Sequence, residues 1–413
     1  MEKVKIGVLG AFRGRTMIDY CKTDKRVRLV AVCDFRKELL DDLKKDLNDD
    51  SVLFFENFDD MMKCDLDAVV LANYANEHAP FAIKCLNAGK HVLSEVLPVQ
   101  NMAEAVALLE AVEKSGKIYS YAENYCYMHA PREMKRLYES GALGEFEYGE
   151  GEYLHNGEPI WPDITYGDPN HWRNNMSAFF YCTHSIGPLL HICGLKPVKV
   201  TGFELPHNAR LARMGKKCGW ASIIIITLEN GAILKSMHGP ASKNSVWYSV
   251  YGSLGSAESV RENTGLPMDG IYTNLDRYEG ECVKRLNSYK PTDALTERAE
   301  NAGHGGSDFF TMWNFVSKIL GDEKADTIDV YEALDMFLPG IFAYRSVLNG
   351  GISMDIPDLR DEKQRELYRN DFACTDPKVA GNQLQQCYSK GNPVIPDEVY
   401  EAVRAEYERR HLK

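Results

Sequence analysis

The sequence has no apolar run approaching the ~18 residues of a membrane span, no Cys-x-x-Cys pair and no His-x-x-x-His spacing. The first absence argues against a spanning helix. The other two leave a zinc site without its usual ligand pattern, so no metal is expected among the scattered histidines. No internal repeat or low-complexity tract is present. Positive charge is in deficit, with 48 Lys and Arg against 60 Asp and Glu and a net charge of -12. That argues against nucleic acid or an anionic membrane as partner. Residues Met1-Glu2-Lys3-Val4-Lys5-Ile6 enter a strand pattern at once, so no signal peptide is expected. The eleven cysteines are scattered, and several, such as Cys33 and Cys85, lie in apolar stretches. They read as reduced packing thiols of a cytoplasmic protein.

What remains is ordinary globular material: 413 residues, 44% hydrophobic and 26% charged. That length exceeds one ordinary core and points to more than one domain. Short β-branched runs at 4–10, 27–34, 67–72, 90–95 and 117–123 alternate with helical patterns up to Lys22 and at 36–47, 77–89 and 101–115. This alternation predicts a doubly wound, parallel α/β sheet. After residue 123 the pattern changes. A helix at 130–141 precedes strand-like runs at 145–155, 198–205, 220–239 and 246–253, and helices return at 306–319 and 329–349. Asn230-Gly231 between two apolar runs marks a hairpin. The expectation is therefore α/β: a Rossmann domain over 1–122, an α+β domain with a mainly antiparallel open sheet over 123–355, and an extension over 356–413 without an evident place. The open sheet also suggests a homo-oligomer.

Gly7, Gly10 and Gly14 occupy the turn after the first strand, where backbone N–H groups can approach a pyrophosphate at a helix N-terminus. Asp34 ends the second strand, where a carboxylate takes the adenosine ribose hydroxyls and repels a 2′-phosphate. NAD is therefore expected over NADP, although Arg36 stands nearby. The bland alternative is that Asp34 caps the following helix.

Asn76-Glu77-His78-Ala79-Pro80, Ala88-Gly89-Lys90-His91-Val92 and Glu95 resemble the Gfo/Idh/MocA oxidoreductase family. In that family a Glu-Lys-Pro motif follows the fifth strand, and its lysine helps to deprotonate the sugar hydroxyl being oxidised. Here the string reads Glu95-Val96-Leu97-Pro98, and Phe180 stands where the family places an aspartate. A narrower resemblance, to glycoside hydrolase family 109 or a sister group, accounts for the loss. Glu123-Asn124-Tyr125-Cys126-Tyr127, Trp172-Arg173, Tyr181-Cys182-Thr183-His184-Ser185-Ile186-Gly187-Pro188 and Gly303-His304-Gly305-Gly306-Ser307-Asp308-Phe309 carry it. Position 182 is cysteine where that family has proline, and the segment 156–171 differs.

The resemblance implies an NAD-dependent glycosidase with no net redox change. Oxidation at C3 of the sugar acidifies C2–H, elimination expels the aglycone from C1, and water addition and re-reduction follow. It implies cofactor contacts from Gly7, Gly10, Phe12, Arg13, Asp34, Asn73, Asn76, His78, Glu95 and Asn124. His184 is the candidate base at C3, because an imidazole titrates near working pH. Tyr181 is the candidate acid or base at C2, provided that a neighbouring cation favours its phenolate. Glu123 is a candidate for substrate binding or leaving-group protonation. His155, Trp172, Arg173, His304 and Asp308 are candidates for binding the sugar. Each has a structural alternative: a packed histidine, a core tyrosine, a capping carboxylate. Two further functions stay open, a conventional NAD-dependent sugar dehydrogenase and a non-catalytic sugar- or NAD-binding regulator.

Overall fold

In the computed structural model the described residues are 2–261, 270–275, 283–288, 294–300 and 302–411. They divide into two compact units, Met1–Arg132 with Lys290–Leu334, and Glu133–Tyr289 with Asp335–Lys413.

The first unit holds six strands: β1 (Val4–Leu9), β2 (Val27–Cys33), β3 (Leu53–Phe55), β4 (Ala68–Leu71), β5 (His91–Ser94) and β6 (Tyr119–Tyr121). They pair in parallel in the order β3-β2-β1-β4-β5-β6. Ile6, Val8, Ala31, Val32, Val70, Leu71 and Leu93 are fully buried, as continuous apolar strands covered on both faces must be. The strand order reverses between β1 and β4, the switch point where such sheets open a crevice for a ligand. The later segment contributes the helix Ser307–Ile319. Its Phe309 ring lies 5.4 Å from that of Tyr20 on the helix Arg15–Thr23.

The second unit carries β7 (Phe146–Leu154), β8 (Pro197–Glu204), β9 (Ser222–Leu228), β10 (Ile233–Gly239), β11 (Ser245–Gly252), β12 (Gly255–Ser259), β13 (Gly270–Leu275), β14 (Val283–Ser288) and β15 (Met354–Asp355). The order is β14-β13-β12-β11-β7-β10-β9-β8-β15. All pairings are antiparallel except β7 with β10. The expected hairpin joins β9 to β10, with Gly231 at φ +88.

One face of this sheet is covered by the helix Thr183–Cys193, all eleven residues of which are buried. Gly151 on β7 makes the close approach possible, since a Cβ there would overlap the Ser185 carbonyl. The chain beyond 355 is part of this second unit. Its last helix, Asp397–His411, is polar and buries only Tyr400, whose hydroxyl donates to the Gly215 carbonyl at 3.1 Å. Among the described residues no helix is long and apolar enough to cross a membrane, and no group of three or more His, Cys, Asp and Glu side chains is arranged to hold a metal.

Candidate functional site

In the first unit the chain leaves β1 through Gly10, at φ +99. A Cβ there would run into the Ala72 carbonyl beyond β4. The helix Arg15–Thr23 begins without a side-chain cap, so its leading N–H groups suit an anion. Asp34 braces the turn: Oδ2 accepts the Ala11 N–H at 2.8 Å and Oδ1 accepts the Arg36 N–H at 2.9 Å. The next helix, Lys37–Leu47, takes no side-chain cap from it. Phe12 and Phe35 are 67% and 63% exposed, and Phe35 lies 5.7 Å from the Tyr74 ring. Exposed aromatic faces beside a buried carboxylate suit an adenosine. Sequence reasoning selected Phe12 and missed Phe35 and Tyr74, although an aromatic next to Asp34 was a readable signal.

Behind the β4 edge, His78 is buried with Nδ1 2.9 Å from the Leu97 carbonyl and Nε2 3.3 Å from the Asn73 carbonyl. It ties two loops together. The Asn76 carbonyl accepts from Gln100 at 2.6 Å. Asn73 Oδ1 is buried without a hydrogen-bond partner, a polar atom left for a ligand. The uncapped helix, the glycine turn and this orphaned oxygen fit a dinucleotide. Val96 is buried and carries no titratable atom.

Five of the selected residues meet around Asp308. Arg13 grips its carboxylate with two bonds of 3.0 Å and reaches Glu95 at 2.5 Å. Asn124 Nδ2 donates at 2.9 Å, His304 Nδ1 lies 3.1 Å away, and Thr16, not foreseen, adds its hydroxyl at 2.9 Å. Burial opposes the charge on Asp308, but the His304 hydrogen bond and Arg13 outweigh it and hold the carboxyl well below its usual range. With so many donors committed, Asp308 is an anchor of this unit rather than an open acceptor for sugar hydroxyls. Glu123 is likewise fully buried and accepts the Tyr125 N–H at 3.3 Å, capping the turn Asn124–Tyr127.

The second unit gathers the other candidates. His184 is the second residue of Thr183–Cys193. Pro188, one turn on, has no N–H for the His184 carbonyl. That carbonyl instead accepts the Tyr248 hydroxyl at 2.5 Å. The ring of His184 lies 5.2 Å from that of Tyr181 and 4.6 Å from that of Tyr153. Tyr153 stacks on His155 at 5.9 Å. Arg173 Cζ lies 4.7 Å from the Trp172 ring and 5.3 Å from the Tyr181 ring. Tyr181 and His184 also sit at the positive end of a buried helix, where developing negative charge is favoured.

Two histidines of this unit are held neutral by burial. His171, on which the Arg173 charge also acts, is pulled down to about 4. His238, whose Nδ1 lies 3.0 Å from Ser222 Oγ, is pulled down to about 3. Trp161 is buried in a small core with Leu211, Met214 and Cys218, so it packs rather than offering a face to a sugar.

Residues 4–123 match the model of the Gfo/Idh/MocA oxidoreductase family, NAD-binding Rossmann fold. The N-terminal domain is an NAD-binding Rossmann domain, similar to that of the Gfo/Idh/MocA oxidoreductases. Residues 285–365 match the glycosyl hydrolase 109 C-terminal domain. An α-N-acetylgalactosaminidase of Shewanella oneidensis is 22% identical over 401 residues, covering 87% of this chain and 85% of its own length. A glycosyl hydrolase family 109 protein of Phocaeicola vulgatus is 25% identical, with 87% and 84% covered. Among solved structures, a myo-inositol 2-dehydrogenase of Lactobacillus plantarum superposes with a TM-score of 0.66 at 17% identity, covering 86% of this chain and all of its own. A levoglucosan dehydrogenase in complex with NADH and levoglucosan gives 0.70 at 17%, with 86% and 100% covered. The chain thus shares its fold with sugar dehydrogenases and its sequence likeness with family 109 proteins.

Proposed function

We propose that the protein is an NAD-dependent glycosidase working by transient oxidation, elimination and hydration. The observation that carries this reading is the trio in the second unit: Tyr181 and His184 with ring centres 5.2 Å apart, and Arg173 over the tyrosine ring. It occurs in a chain whose position 96 is valine where related dehydrogenases keep a proton-transferring lysine. The likeness to family 109 proteins supports the same choice.

A bound NAD⁺ would supply the acceptor for the hydride of sugar C3 and, once reduced, the donor that restores it. His184 takes the proton of the C3 hydroxyl. Tyr181 then removes the C2 proton, which the adjacent ketone has acidified. The electron pair of that C–H bond forms the C1–C2 double bond as the aglycone departs from C1, and Tyr181 returns the proton it has taken to the departing oxygen. Water adds across this bond, with its oxygen at C1 and a proton at C2. The sum is glycoside plus water giving sugar plus aglycone. The route differs from that of paired-carboxylate hydrolases, which leave C2–H untouched. Trp172 and His155 line the same group and serve to bind the sugar ring.

Chromogenic glycosides, beginning with p-nitrophenyl N-acetyl-α-galactosaminide, turned over in D₂O give the test. Deuterium at C2 of the released sugar is expected. Tyr181→Phe should lower turnover about 10²–10⁴-fold, the usual cost of losing a positioned acid or base. Unlabelled sugar from an active enzyme would exclude the elimination route. The second reading, a sugar dehydrogenase, draws on the dehydrogenase neighbours in structure. It requires net NADH accumulation at 340 nm, which the glycosidase does not produce.

A further inference from the structure

Lys216 follows the helix Ala209–Met214 and is only 3% exposed. Its ammonium donates to the Arg173 carbonyl at 3.1 Å and lies 4.8 Å from the centre of the Trp161 ring. No carboxylate among the described residues forms an ion pair with it. Its charged neighbour is Arg173, a second cation, and burial followed by that repulsion pulls the ammonium below its ordinary value. An ammonium withdrawn from water without a counter-ion is expensive, and an apolar residue of similar volume at such a place is often neutral or stabilising. Stability alone therefore does not account for lysine at this position.

The backbone around Lys216 shows what the lysine does. Lys217 N–H donates to the Asn174 carbonyl at 2.9 Å, and Lys217 Nζ to Asn175 Oδ1 at 3.1 Å. Together with the Lys216 bond, this segment grips the short helix Trp172–Asn175 by three successive residues. That helix presents Arg173. On the far side, Tyr400 of the last helix holds the Gly215 carbonyl. Gly215 has φ +80, and a Cβ there would strike the Tyr400 ring.

We infer that Lys216 is a positioning residue of the sugar half-site, an unpaired buried ammonium retained because it holds Arg173 over the ring of Tyr181. The inference builds on the role proposed for Tyr181, and its test needs no turnover. Protein labelled with ¹³C at tyrosine Cζ gives one resonance for Tyr181, identified by its loss in Tyr181→Phe. In Lys216→Met, of similar volume and uncharged, the melting temperature is expected to hold or rise while the Tyr181 resonance moves as it does in Arg173→Met. The double variant should move it no further, because both substitutions act through one contact. Lys216→Arg, which keeps a cation and a donor, should return the resonance toward its original place. A Tyr181 resonance unmoved in Lys216→Met overturns the inference at any melting temperature. A melting temperature lowered by ~10 °C or more overturns it too, because the lysine would then be a structural residue. If the resonance moves as expected and no glycoside is cleaved, the placement of Arg173 stands and the glycosidase reading falls alone.

Discussion

Asp308 shows how much one side chain organises. Its two oxygens take bonds from Arg13, Thr16, Asn124 and His304, and its side chain is 1% exposed. Asp308→Asn keeps the shape but removes the charge, leaving the Arg13 guanidinium with Glu95 alone. Breaking one partner of a buried pair typically costs about 3–5 kcal/mol. Since Arg13 is 28% exposed, water recovers part of this, and about 3 kcal/mol is expected from urea unfolding. The residue types at this hub were legible in the string Gly303–Phe309, but their job was not. Spacing within a motif says only that His304 and Asp308 are four residues apart, and nothing about Arg13, 295 positions away. Glu123 was ambiguous for a related reason: a carboxylate after the last Rossmann strand looks alike whether it faces a ligand or caps the next turn. Tyr181, His184 and Arg173, by contrast, are close in the chain and lie side by side in the fold.

At the scale of elements, the parallel strands of the first unit and the β9–β10 hairpin were readable because continuous β-branched runs and Asn-Gly turns have one common outcome. β3 was missed because three residues carry no periodicity. The helix Thr183–Cys193 was missed because Gly187-Pro188 reads as a break. Its proline is tolerated because Tyr248 satisfies the carbonyl that the ring leaves without a donor. Tyr248→Phe removes that hydroxyl and strands a buried acceptor, which should cost about 1–3 kcal/mol. The loss falls at His184 itself, so turnover should drop more steeply than stability. Stopped assays beside urea curves separate the two effects. The last helix escaped placement because its surface is polar nearly all round, leaving no apolar stripe from which to infer a partner.

The whole molecule should respond to acid in a defined window. His171 and His238 bind protons near pH 6.5 when unfolded but only near 4 and 3 when folded. Between those values the unfolded chain holds more protons, so stability is complete above about pH 6.5 and declines as pH falls toward 4. Each buried imidazole removes about 1.4 kcal/mol per pH unit once well below 6.5. Asp308 has a depressed carboxyl and weakens the fold only below its own ordinary range. Urea midpoints at pH 7 and pH 5 should therefore differ, and His238→Gln should flatten the dependence by its share. An unchanged slope in that variant would assign the acid sensitivity elsewhere.

The first unit is made of two stretches of chain, 1–132 and 290–334, and this bears on how it is born. The Tyr121 N–H at the rim of β6 is paired by the Ile328 carbonyl, and Arg26 by Ser317. On a ribosome adding about 5–20 residues per second, Arg13 emerges on the order of tens of seconds before Asp308. Through that interval the nascent Rossmann sheet has its strands but lacks the helix Ser307–Ile319, with Phe309, Phe310 and Phe315 among its buried residues. The nucleotide-binding half, although first in the chain, is therefore not the first part to be finished. A fragment released at residue 132 should carry an uncovered apolar face and depend on chaperones, while the second sheet is already assembling downstream of it.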